Sequence, residues 1–454
     1  MTRREWMALA YGWTSSAAVL VGQHGGRRLP SPAADAPMVG DADITLRIGA
    51  VNLEIGPRRV VRTLAYNGDV PGPLLRARRG RPLTVDVWND SPEQEIVHWH
   101  GLHIPPEVDG VYEEGTPGVP PSGGHRRYVF TPEPAGTRWY HSHNPAGRDL
   151  KKGTYSGQFG MLVVDDGADP GAYDQEVPLL VHEWEPFFRR NGPLDVEFKA
   201  FSINGKMLGA AEPIRVRDGQ RVLFRIVNAS ATLAHQLALP GHQFRVVALD
   251  GNPVPTPLAV PIVALAPGER VDAIVEMNRP GVWVCGGLKP AERAAGLGIV
   301  VEYAGATGSP QWQDPAPRPW DYTLFGAARE ARPEPDGRLT LAFRATGDGH
   351  HWTINGKQYP KTDPIVVRAG RRYRWRLDNQ SADPHPVHLH RHTFELVDVA
   401  GRPTSGVRKD VVVVPAWKQV EIDVTADQPG LALFHCHQQF HMDMGFMAMM
   451  RYEA

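Results

Sequence analysis

The feature that most restricts the fold is a pattern that occurs three times: Asn-Gly, then a glycine in a basic turn, then a strand ending on an asparagine. It runs from Asn67 through Gly80 to Asn89, from Asn204 through Gly219 to Asn228, and from Asn355 through Gly370 to Asn379. In every copy the second glycine and the final asparagine are nine positions apart. Between them apolar residues alternate: Leu83, Val85 and Val87; Val222, Phe224 and Ile226; Tyr373, Trp375 and Leu377. Side chains on a strand point to its two faces in turn, so a period of two marks a half-buried strand. A unit of about 100–150 residues made of such strands reads as a β-sandwich, and three copies read as three sandwiches in series.

The remaining composition fits that reading. With 47 Gly and 42 Pro in 454 residues, the chain is punctuated for short strands and turns, not long helices. Clusters of Pro, Gly and Asp put seams near Asp165 to Tyr173 and in the stretch 305–320. The 49 basic and 50 acidic residues leave a net charge of −1, which argues against a nucleic-acid binder or a polybasic membrane partner. No segment reaches the ~18 apolar residues of a membrane span, so none is expected in the mature protein. At the N-terminus Thr2, Arg3 and Arg4 precede Trp6, Met7 and a mildly apolar run, with small residues around Ala33 to Ala36. That resembles a twin-arginine export signal and implies a periplasmic or otherwise exported protein. The expected layout is an export segment and linker over 1–40 and sandwiches over 41–168, 169–308 and 309–454.

Histidine is the outlier, at 19 residues, and it concentrates in the first and third units. The runs are "HWHGLH" (98–103), "HSH" (141–143), "HPVHLHRH" (385–392) and "HCHQQFH" (435–441). Residues i and i+2 of a strand share a face. His98 with His100, His141 with His143, His388 with His390, and His435 with His437 therefore present imidazoles side by side, and eight of them can converge between the two units. Imidazole suits copper, zinc, iron and nickel, but eight ligands exceed the four of a structural zinc site, so a cluster of several metals is expected. Cys436 points away from its two histidine neighbours. With His385 and His441 it supplies two imidazoles and a thiolate, the ligand set of a blue-copper electron-transfer site. His103 and His392 within these runs, and His125, His182, His235, His242, His350 and His351 outside them, read as packing or surface residues, and Cys285 reads as a buried, inert thiol of the middle unit.

These four motifs resemble those of the multicopper oxidases, the group of laccases, ferroxidases and cuprous oxidases, over the chain from about residue 45 onward. The resemblance implies an all-β chain of three cupredoxin-like Greek-key sandwiches holding four copper ions. It gives the type 1 copper to His385, Cys436 and His441, and the type 2 copper to His98 and His388. The paired type 3 coppers take His100, His141, His143, His390, His435 and His437. It further implies that single electrons leave a reductant at the type 1 site and pass through Cys436, His435 and His437 to the cluster, where dioxygen becomes two waters. The chain is expected to act as a monomer. Relatives that keep the sandwiches as cell-envelope structural proteins have lost the ligands, and all eleven are present here. Copper nitrite reductases share the type 1 set but have no need of four His-x-His pairs.

Departures from the family pattern matter. The axial place of the type 1 site, ten residues after Cys436, holds Phe446, which cannot ligate; a three-coordinate copper favours Cu(I) and a higher potential. Met444 or Met447 swinging in is the rival expectation. Asp109, eleven residues after His98, matches a family aspartate and is assigned to proton delivery. Where many bacterial members carry a glutamate after the last type 1 histidine, this chain has Met442, so either Asp443 substitutes or Asp109 serves alone. The 11 methionines include no dedicated metal-collecting insertion, which favours phenols and aromatic amines over Cu(I) or Fe(II) as reductants.

Overall fold

A computed structural model describes residues 40–167, 171–189, 195–328, 333–347 and 351–453. The expected export segment lies outside the described residues. Each of the three units is a pair of β-sheets. In the first, one sheet orders Arg59–Tyr66, Ile44–Gly56, Leu83–Asn89 and Gly124–Phe130, and the other orders Leu75–Arg78, Phe159–Asp165, Gly136–Ser142 and Val97–His100. The second unit pairs a six-stranded with a five-stranded sheet, and the third pairs a seven-stranded with a five-stranded one.

The repeat has a structural counterpart in every unit. Leu83–Asn89, Arg221–Asn228 and Arg372–Asn379 each run parallel to their unit's first strand and antiparallel to a later one. Parallel neighbours require a crossover, so these central strands fix a Greek-key winding and not a simple meander. Asn67, Asn204 and Asn355 all take left-handed backbone angles (φ 54°, 52° and 51°), as the first residue of a tight Asn-Gly turn must. Their side-chain amides then pair with the first strand like an added backbone group: Asn67 bridges Arg47 N and Thr45 O, Asn204 bridges Leu180 N and Pro178 O, and Asn355 bridges Ala342 N and Thr340 O. The closing asparagines share a second device. Asn89, Asn228 and Asn379 each accept from the serine two positions on and donate to carbonyls of two different segments. Each buried amide thus ties the end of its strand to neighbouring segments, and in the second and third units one of these is a strand of the opposite sheet.

The units are not separate beads. One apolar cluster runs without a break from Leu179 and Phe224 of the second unit to Trp375 and Phe434 of the third. A smaller one joins the first unit's Trp139 and Phe159 to the second unit's Leu180 and Trp184. Full burial of each such large side chain contributes roughly 1.5–3 kcal/mol, so these seams hold the first and third units in fixed register through the second. Among the described residues no helix is long and apolar enough to cross a membrane.

Candidate metal centre

Two strand pairs, one from each end unit, carry the histidines. In the first unit Val97–His100 lies antiparallel to Gly136–Ser142 with His98 opposite His141; in the third, His385–Leu389 lies antiparallel to Ala432–Cys436 with His388 opposite His435. The second histidine of each pair sits two residues on. His100 is still on its strand, whereas His143, His390 and His437 fall just past their strand ends, a detail beyond the simple alternation expected from sequence. The two pairs face each other: His100 stacks on His388 with ring centroids 3.9 Å apart, and His98 on His390 at 4.1 Å. His143 stands 5.2 Å from His435, and His141 stands 5.3 Å from His437. All eight imidazoles predicted to converge do so, and all are buried.

Their hydrogen bonds show which ring nitrogens are left for a metal. His98 Nδ1 donates to Asp109 O, His141 Nδ1 to Ser142 O, His388 Nδ1 to Asp410 O and His435 Nδ1 to Cys436 O, all at 2.8–3.0 Å. A neutral imidazole has one N–H, so the other nitrogen of each is a lone pair turned inward. Nε2 of His98, His141, His143 and His388, Nδ1 of His100 and both ring nitrogens of His437 have no partner. His390 Nε2 and His435 Nε2 face each other at 3.0 Å although both Nδ1 atoms are already committed as donors. Two lone pairs at that distance repel unless a cation lies beside them. Burial also holds seven of these rings uncharged: it drives His100, His141, His143, His388, His390 and His437 far below the usual imidazole range, and His435 down to about 3. Neutral, buried and turned inward is the state a metal requires of imidazole. The donor set fits a copper cluster.

The second candidate site lies inside the third unit. Cys436 Sγ is 3.8 Å from His385 Nδ1 and 3.7 Å from His441 Nδ1. His385 and Cys436 come from adjacent strands, while His441 comes from a short helix, Gln439–Asp443, which returns the chain to the same face. Rings enclose the trio: Trp352 lies 4.5 Å from His385 and 4.4 Å from His441, and Phe446 lies 4.9 Å from His385. Phe446 is fully buried, and its backbone bonds both sides of the site, donating to His441 O and accepting from Cys436 N. Burial pushes the Cys436 thiol upward and His441 down to about 3. A thiolate here therefore needs a bound cation, which this set of soft and borderline ligands fits. Cys285 is buried and unbonded to the other cysteine, its thiol pushed up to about 12.

Carboxylates surround the cluster. Asp109 ends the short helix Pro106–Asp109, and Gly110 follows with φ 93° where an added Cβ would stand 1.8 Å from Val97 O. Only glycine fits, and the turn it makes aims Asp109 Oδ2 at His390 Nδ1, 2.8 Å away. Glu114, which sequence reasoning missed, lies beside it with Oε1 3.4 Å from the same nitrogen. Burial first, and then the Asp109 charge, raise the Glu114 carboxyl well above its ordinary range. A carboxyl raised in this way favours its protonated form beside Asp109. Asp410, also missed, sets Oδ1 3.1 Å from His100 Nε2. Asp443 is spent elsewhere. It accepts from the backbone of Ala146 and Gly147 and from Gln439, and so ties the His441 helix to the loop after His143. Met442 lines a cavity of about 10 Å³ together with His141, His143, His435 and His437.

Family profiles described as multicopper oxidase match residues 49–169, 180–289 and 332–454. Multicopper oxidase MmcO of Mycobacterium tuberculosis is 31% identical over 434 residues, covering 87% of this chain and 84% of that protein. The chain belongs to the multicopper oxidase family. Like its relatives it is an oxidoreductase, and the family implies copper as cofactor and dioxygen as acceptor. Copper resistance protein A of Escherichia coli is 25% identical, covering 90% of this chain and 92% of that one. Among solved structures, a multi-copper oxidase from Pseudomonas Thermotolerans superposes with a TM-score of 0.71 at 27% identity, over 91% of this chain and all of that one. The three sandwiches of this multicopper oxidase are cupredoxin-like, as expected.

Proposed function

We propose that this multicopper oxidase is laccase-like: it takes single electrons from phenols or aromatic amines at a type 1 copper and uses them to reduce dioxygen to water at a trinuclear cluster. In this reading the type 1 ligands are His385, Cys436 and His441. The type 2 ligands are His98 and His388, and the type 3 ligands are His100, His141, His143, His390, His435 and His437, four coppers in all. Copper so held supplies one-electron oxidation at the first site and dioxygen reduction at the second. The observation that carries the reading is the bonded sequence His435-Cys436-His437, whose cysteine faces one donor set and whose histidines face the other.

The chain's own groups do the rest. Asp109 Oδ2 orients His390, and with Glu114 it forms a carboxyl pair able to hold and pass a proton beside the cluster. Asp443, with three donors on its oxygens, acts as an anchor and not as the missing acid, and Met442 offers none. Phe446, whose buried ring lies 4.9 Å from His385, would offer the copper no donor, and among the described residues no metal-gathering insertion stands nearby. We further propose the unit bounds 41–168, 169–308 and 309–454, a monomer, and export by the N-terminal signal. A metal-oxidase reading, with Cu(I) or Fe(II) as reductant, is favoured by Met442 on the helix that holds His441 and by Met444 at that helix's C-terminal cap. Oxygen uptake by copper-loaded protein with a phenol, Fe(II) and Cu(I) side by side tests the choice. Fastest uptake with the phenol is expected, and fastest uptake with either metal ion overturns the laccase-like assignment.

A further inference from the structure

The middle unit contributes no histidine to the cluster among the described residues, yet it reaches the cluster through one side chain. Arg270, on the strand Arg270–Glu276, is fully buried and uses all five of its N–H groups. Nη1 and Nη2 grip the two oxygens of Asp410 at 2.5 and 2.6 Å, while the remaining donors go to Thr137 O, Gly268 O and Asp250 O. The backbone N–H of Arg270 donates to Asp250 Oδ1, and Asp250 Oδ2 accepts from the backbone of Asp410 and Val411. Asp410 therefore cannot turn. In that fixed pose its Oδ1 meets His100 Nε2 and its carbonyl oxygen accepts from His388 Nδ1, and these are the two rings that stack at 3.9 Å.

Two details set this apart from an ordinary buried ion pair. Asp410 lies near enough to His100 and His388 to count as a third metal ligand, but both its oxygens are already held by a guanidinium fork, which leaves it as the acceptor that fixes the rings. Gly101, directly after His100, has φ 84°, and a Cβ there would fall 2.6 Å from Arg270 Nη2 and 2.8 Å from Asp410 Oδ2. The glycine of the first histidine motif is thus the space through which the middle unit's guanidinium passes.

We propose that Arg270 is a positioning residue for the cluster: through Asp410 it fixes His100 of the first unit against His388 of the third, so that one type 2 and one type 3 ligand are oriented by the unit that holds no copper. The proposal rests on the ligand assignment above, and it locates control of cluster geometry in a residue that touches no metal. The partners of metal-bound imidazoles set ring orientation, and their loss costs about 10–100-fold in metal affinity or activity.

The test uses full-length copper-loaded protein and three variants. Arg270→Lys keeps the charge and loses the planar fork. Asp410→Asn keeps the shape and loses the charge. Arg225→Lys, altering a buried arginine of the same unit that pairs with Glu176 and Asp272, is the control for general damage to the unit seam. Copper per chain, cluster affinity for Cu(II), the type 2 electron paramagnetic resonance signal, and the blue absorption and potential of the type 1 site are read together. The expected result is an unchanged type 1 site in Arg270→Lys and Asp410→Asn, an altered type 2 signal, and cluster affinity lowered about 10–100-fold, with Arg225→Lys like the parent protein. Wild-type protein that binds no copper would overturn both this inference and the copper reading. Wild-type protein with a normal type 2 signal that Arg270→Lys leaves untouched, or that Arg225→Lys disturbs equally, overturns this inference alone.

Discussion

The cluster and the Cys436 site are joined by single peptide bonds but are built by different means. The cluster lies between units, and its rings are fixed by hydrogen bonds: carbonyls of Ser142 and Cys436, and both the carbonyl and the carboxylate of Asp109 and Asp410. The Cys436 site lies inside one unit, and its shape comes from packing against Trp352, Phe343 and Phe446, with Ser381 on His385 Nε2 as a side-chain hydrogen bond from outside the trio. A site held by packing tolerates little change in shape, and one held by polar partners tolerates little change in charge. In the proposed reading the chain would thus separate a copper whose potential needs a fixed, packed shell from a cluster that must also be supplied with protons.

That contrast can be broken from either side. The largest effect belongs to Cys436→Ser, which removes the covalent link: blue absorption and phenol turnover fall to background while the cluster histidines still bind copper. Continued phenol oxidation would contradict the wiring. Next is Asp109→Asn, which should slow reoxidation by dioxygen about 10–100-fold while leaving reduction of the blue copper by substrate unchanged in stopped-flow traces. Equal slowing of both half-reactions would make Asp109 merely structural.

Phe446→Met acts on the packed site alone. An added thioether should lower the type 1 potential on a scale of about 59 mV for each tenfold change in preference between the two oxidation states, with the cluster spectrum intact. An unchanged or higher potential in redox titration would show that Phe446 does not occupy the axial place.

The smallest effect is on stability. Glu95 accepts from Asn144 and Gln158 under the loop that follows His143, and burial pushes its carboxyl up to about 7 from 4.5. Between those values the folded chain holds a proton that the unfolded chain has released. Stability should therefore fall by about 2–3 kcal/mol as pH rises from 4.5 to 7 and stay level above. Glu95→Gln should remove that slope in denaturant titrations. A slope of the same size in the variant would assign it to other groups.

Much of this was legible in the sequence because it is local. The Asn-Gly, Gly and Asn positions recur at a fixed interval, and each does its work with neighbours on its own unit, such as Asn89 with Ser91. That these histidines and Cys436 come together in two groups was legible because His-x-His and the cysteine between two histidines carry their facing in the alternation of a strand. The residues that orient them were not. His390 meets Asp109 across 281 positions and His100 meets Asp410 across 310, and in the sequence Asp410 is only a charge ahead of the run Val411–Val414. Glu114 had a faint signal in "YEEG", five residues after Asp109, but nothing local distinguishes it from Glu113. Contacts whose partners lie in different units are set by how the sandwiches pack, and no periodicity reports that.

The central claim is that electrons accepted beside Cys436 reach a cluster that reduces dioxygen fully. The direct measurement is the ratio of phenol oxidised to dioxygen consumed by copper-loaded protein, with peroxide assayed in the same vessel. The account predicts four one-electron oxidations per dioxygen and no peroxide. Two oxidations per dioxygen with peroxide accumulating, or phenol oxidation without oxygen uptake, would contradict it.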